Sequence, residues 1–217
     1  ALIRGLRIID NAPMQCENVQ DTLFWAGKLY ADFTLGSILH GKGFHLGKLS
    51  AEDVMFALVI EGGEYKNNLS RIFHLKPKGK VPGPKEIFSI RLITLNNLEY
   101  RMLRPNSDKP YKGTGMDWSD LRMTANVRGH ALRFADGIMC FAADHIDLEE
   151  ESGYELHHLS CYGRVGRGET LLEDLMFRDN WSNINLDHYK MSYKNTKDFK
   201  SFLDKVALDG KFRRSTL

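Results

Sequence analysis

Six short stretches between residues 86 and 162 set the strongest limit on what this chain can fold into: "EIFSIRLITL", "LEYRML", "LRMTANV", "HALRF", "IMCFAA" and "ELHHLSCY". Each is rich in β-branched or aromatic residues and bounded by turn signals, which is the pattern of strands. Asn96-Asn97 predicts a hairpin between the first two, pairing Leu95 with Leu98, Ile93 with Tyr100 and Arg91 with Met102. Asp136-Gly137 predicts a second two-residue turn, between "HALRF" and "IMCFAA".

Helical spacing brackets this region. In "ENVQDTLFWAGKLYADF", after Cys16, Val19, Leu23, Ala26, Tyr30 and Phe33 fall at helical steps. Ser50 before "AEDVMFALVI" reads as a cap, with Gly62-Gly63 as the stop, and "LLEDLMF" also reads as helical. In "NTKDFKSFLDKVALDG", Phe199, Phe202, Leu203 and Val206 form one stripe, closed by Gly210. Between the second helix and the strands, "KPKGKVPGPK" has too many prolines and glycines for regular structure. The expectation is a single α+β domain over residues 1–217: an antiparallel meandering sheet, covered on one face by N- and C-terminal helices, with a flexible basic loop at 76–85.

Thirty basic residues stand against 28 acidic, a net charge of +2, so any anionic partner must be met by a local patch. The three cysteines, Cys16, Cys140 and Cys161, form no CxxC pair. That argues against a disulfide scaffold or a cysteine-only zinc site and for an intracellular, reducing compartment. The opening "ALIRGLRIID" lacks the long apolar region and small-residue cleavage site of a signal peptide, and no apolar run is long enough for a membrane span.

Chemistry has one coherent candidate. Cys16 precedes an expected helix, where backbone N–H groups favour the thiolate. His130 and Asp144 lie on the arms of the expected hairpin, as the base and orienting acid of a cysteine hydrolase or acyl transferase would. Parity opposes it. With Asp136-Gly137 as a two-residue turn, His130 lies opposite Ala143 and Asp144 opposite Gly129, so the two side chains point to opposite faces. Other motifs carry less. "GRVGRGET", 163–170, has the spacing of a phosphate-binding loop but places Glu169 where that loop needs lysine. His157 and His158 are adjacent, so on a strand they cannot share one metal. "ADHIDLEEE" reads as a solvated acidic loop without the pattern of a calcium site. Glu64-Tyr65-Lys66 is too short a match to a nuclease motif to be specific.

Basic segments suggest partners instead. Lys76, Lys78, Lys80 and Lys85 make a loop suited to phosphates of nucleic acid or anionic lipid, which would place the chain peripherally at a membrane. Lys211, Arg213 and Arg214 form a second cluster, and Ser215, Thr216 and Leu217 have the form of a tail that adds to a partner's groove. Acidic and basic segments could also meet between copies. The expected function is binding and assembly, structural in the style of a matrix or coat protein, without cofactor or metal. The Cys16–His130–Asp144 enzyme is the alternative.

Overall fold

The computed structural model describes residues 1–10, 22–33, 44–61, 66–72, 86–105, 115–166, 168–194, 206–213 and 215–216. They form ten strands: β1 (Leu2–Ile9), β2 (Thr22–Phe33), β3 (Phe44–Val59), β4 (Glu86–Leu103), β5 (Asp120–Ala135), β6 (Ile138–Glu150), β7 (Glu155–Gly166), β8 (Glu169–Asp179), β9 (Asn183–Ser192) and β10 (Ala207–Phe212). A single helical turn, α1 (Asn68–Ile72), lies between β3 and β4. The strands make one sheet in sequence order, each hydrogen-bonded to the next. Every junction is antiparallel except β3–β4, which is parallel. Eight reversals remain, an even number, so the edge strands β1 and β10 run in the same direction.

This corrects the α+β expectation. No N- or C-terminal helix covers the sheet among the described residues. Of the segment read as the first helix, residues 22–33 form β2 and residues 17–21 lie outside the described set; "AEDVMFALV" lies in β3, and "LLEDLMF" lies in β8. Of the expected C-terminal helix, residues 195–205 lie outside the described set, and Gly210 sits inside β10. The misleading signal in β2 has a physical cause. Gly5, Gly27, Asp53 and Asn97 stand in one row across β1 to β4, and Gly5, Asp53 and Asn97 adopt left-handed backbone, with φ of 65°, 53° and 55°. A kink that interrupts strict alternation leaves Leu23, Ala26 and Ala31 buried at spacings that imitate a helical face.

The Asn96-Asn97 hairpin is also corrected. The left-handed residue is there, but the chain bends only locally and β4 continues for 18 residues. Leu95 sits beside Ala51 of β3 and Val127 of β5, not beside Leu98. "ADHIDLEEE" is likewise no loop, because β6 runs through it to a buried Glu150.

Among the described residues, seven of the seventeen buried hydrophobic side chains are alanine. One cluster joins Ala26, Ala51 and Val54, with Phe24, Leu29, Leu95 and Leu98 against it. A second joins Ala31, Leu46 and Ile90, with Leu49, Phe88, Ile93 and Leu132. Leu23 alone among the large side chains described is fully enclosed. At the end of β3, Asn68 of α1 is buried and fixes the turn: its Oδ1 accepts from Val59 N–H (3.0 Å) and Leu69 N–H (2.9 Å), and its Nδ2 donates to Ala57 O (2.7 Å). Arg71 of α1 bridges Glu61 and the buried Asp10, which ties the end of β1 to the end of β3.

Candidate functional site

The turn at Asp136-Gly137 forms as the sequence predicts, with Ala135 opposite Ile138, Phe134 opposite Met139 and Arg133 opposite Cys140. Ala131 then adopts φ 53° and β5 gains a residue on β6, so that His130 pairs with Ala142 and Gly129 with Ala143. A compensating shift follows at once: Arg128 pairs with His145, and Asp144 has no opposite residue on β5. These two bulges undo the parity argument. Asp144 turns to the side of His130, whose Nδ1 lies 2.8 Å from Asp144 Oδ1, both side chains remaining open to solvent at 39% and 49%. The Tyr162 ring meets that of His130 edge-on across the small Ala142, with centroids 6.4 Å apart.

Gly129 makes this geometry possible. A Cβ there would stand 2.6 Å from the carbonyl oxygen of Ala142. A glycine inside a strand is the mark of a bulge or a close backbone approach, and Gly129 beside His130 was the signal that could have exposed the shift.

A second constellation, which the sequence reading missed, begins one residue further along β6. His145 Nδ1 and His158 Nδ1 are 2.8 Å apart, His145 Nε2 lies 3.0 Å from Asp147 Oδ2, and His158 Nε2 lies 3.0 Å from Ser160 Oγ. Asp147 Oδ1 accepts from Asn126 Nδ2 (2.8 Å), Asn126 Oδ1 accepts from Asn97 N–H (3.0 Å), and Asn97 Nδ2 donates to Asp53 (2.9 Å). The bonds run side by side across β3, β4, β5, β6 and β7. Burial, and then the neighbouring His145 and Arg178, hold His158 below the usual histidine range. As strand alternation requires, His157 takes no part; it lies 4.0 Å from Glu155.

The remaining sequence candidates are placed as follows. Cys16, Lys76, Lys78, Lys80, Lys85, Arg214, Leu217, Glu64 and Tyr65 lie outside the described residues. Lys211 pairs with Asp187 at 2.8 Å, and Arg213 bridges Asp187 and Asp174. Lys211 and then Arg213 pull the Asp187 carboxyl down to about 2. Two of the expected phosphate-binding cations therefore already face carboxylates. The tail is docked on its own chain: Asn183 and Thr216 exchange two backbone hydrogen bonds of 2.8 Å, and Ser215 Oγ accepts from Asn185 N–H at 2.9 Å. Within "GRVGRGET", Gly163 to Gly166 end β7, Arg167 lies outside the described residues, and Glu169 opens β8 and pairs with Lys190 at 2.9 Å. Comparison of the chain with protein-family models, with curated proteins and with solved structures finds no match in any of the three.

Proposed function

We propose that this chain works by self-assembly, its open sheet completing its packing against further copies. The observation that supports this most is the single layer. Ten strands end in two edges, β1 and β10, with no second layer over either face among the described residues. Leu2, Ile3 and Ile9 on β1, and Leu208 and Phe212 on β10, are exposed. Open edges of this kind are templates for another chain.

Contact with an anionic lipid or nucleic acid belongs to the same proposal and falls on Lys76, Lys78, Lys80 and Lys85, since Lys211 and Arg213 are engaged by acids. Replacing the four lysines with glutamine should weaken binding to anionic vesicles or to an oligonucleotide, and raised salt should weaken the parent likewise. Equal binding by parent and variant would remove the loop from the account. Cys140 and Cys161 are free thiols, which suits a reducing compartment. A tail-binding partner would first have to free Thr216 from Asn183.

The His130–Asp144 contact favours a second reading, a cysteine hydrolase or acyl transferase with Cys16 as nucleophile. Under it, a thiol probe at neutral pH labels Cys16 fast, and His130→Ala slows that labelling at least tenfold. Cys161, whose thiol burial pushes up, stays slow as an internal control. Unchanged Cys16 labelling in the variant would sink this reading.

A further inference from the structure

We infer that His145 and His158 form an acid-sensitive clasp between β6 and β7, one that closes with no proton or one shared proton and opens at the next. The argument starts from Asp147, whose ionised carboxylate only accepts hydrogen bonds. His145 Nε2, 3.0 Å away, therefore carries a proton. With both rings neutral, His145 Nδ1 is a lone pair, so His158 Nδ1 donates across the 2.8 Å gap and His158 Nε2 accepts from the Ser160 hydroxyl.

One added proton fits the same frame. It resides on His145, which then donates from Nε2 to Asp147 and from Nδ1 to His158, while His158 turns its own N–H on Ser160. A second has no place, because two N–H groups would face each other across 2.8 Å. The rings must part or the proton must stay off.

Charges around the pair act in the same sense. Asp147 on β6 favours the first proton on the His145 side, while Asp144 faces His130. Arg128 of β5, paired with His145, and Arg178 of β8, paired with His158, both oppose a second. Asn126 of β5 and Ser160 of β7 are neutral members of the chain.

The location gives the clasp a consequence. The β6–β7 ladder loses register between the pairs Ala143–Cys161 and Ile146–Leu159, where Asp144, His145 and Ser160 lie. Side chains join the strands at a place where the backbone ladder is interrupted. A metal does not replace the proton in this account, because among the described residues no third His, Cys, Asp or Glu completes a cation site with the two rings.

Side-chain nitrogen NMR on the full chain tests this as pH falls from 8 to 4. His145 and His158 should take up protons in two coupled steps at least tenfold apart in affinity. Below the second step, amide exchange at Ile146 and Leu159 should rise at least tenfold relative to β4 and β5. In His145→Gln, the His158 step should return toward the ordinary range. Two independent steps in the parent less than tenfold apart, or unchanged exchange with both rings charged, would overturn the inference. The parent titration decides it even where the variant does not fold.

Discussion

His130 and Asp144 are in contact, Nδ1 to Oδ1 at 2.8 Å, because one register shift separates His130 from the Asp136-Gly137 turn and a second, of opposite sense, leaves Asp144 without an opposite residue. A regular hairpin would have put them on opposite faces. Gly129→Ala tests the cause. The new methyl would collide with the Ala142 carbonyl, which is backbone and cannot swing away. The expected loss is about 1–3 kcal/mol in urea unfolding, together with a change in the His130 ring resonances. An unperturbed His130 in a stable variant would mean that the shift does not depend on glycine.

Arg71 sits between Asp10 and Glu61, with its Nε 3.0 Å from Asp10 Oδ2 and Asp10 only 5% exposed. Removing the guanidinium takes the Arg71 cation away from a buried carboxylate. Arg71→Ala should cost about 3 kcal/mol by chemical denaturation, whereas the Asp10→Asn, Arg71→Met double variant should recover part of that loss.

Asn68→Ala removes both partners that hold the end of β3. Val59 N–H and Ala57 O are left unsatisfied in a site where Asn68 is 2% exposed. A loss of about 2–4 kcal/mol is expected, and amide exchange at Val59 should rise first. Asn68→Asp should rescue no stability over alanine at neutral pH, since it keeps the acceptor but sets a buried carboxylate oxygen against the Ala57 carbonyl.

Strand content was legible in the sequence wherever alternation was regular. "IMCFAA", "ELHHLSCY" and the Asp136-Gly137 turn all read correctly. The sequence misled where a strand carries a kink. Residues such as Asp53 and Asn97, which tolerate left-handed backbone, serve equally in a turn and in a bulge, and only the neighbouring strands decide between them. The same ambiguity turned β2 and β3 into apparent helices, whereas the His130–Asp144 contact was hidden because the left-handed residue of its bulge is Ala131, which carries no turn signal. The His145–His158 pair was out of reach for a different reason. It depends on the β6–β7 register, and the acidic residues that follow His145 made the end of β6 look like a solvated loop.

Acid should weaken the fold in two separate windows. His158 is held below its unfolded value near 6.5, chiefly by burial. The unfolded chain therefore takes up that proton first, and the contribution of His158, complete above about pH 6.5, is lost as pH falls toward its folded value. Asp187 is held down to about 2 by Lys211 and then Arg213. Its contribution is complete above the unfolded carboxylate range and disappears as pH falls toward 2. Denaturant midpoints from pH 8 to pH 2 should show both declines, with only the lower one missing in Asp187→Asn.

Molar mass in solution is the most direct test of the assembly account, measured by light scattering from micromolar to hundreds of micromolar protein. The parent should rise above the 24.8 kDa of one chain as concentration increases. Ile3→Lys or Leu208→Lys, which put a charge on an exposed apolar position of an edge strand, should move it back toward that value. A parent that stays at 24.8 kDa across the whole range, with both edges unaltered, would contradict the account.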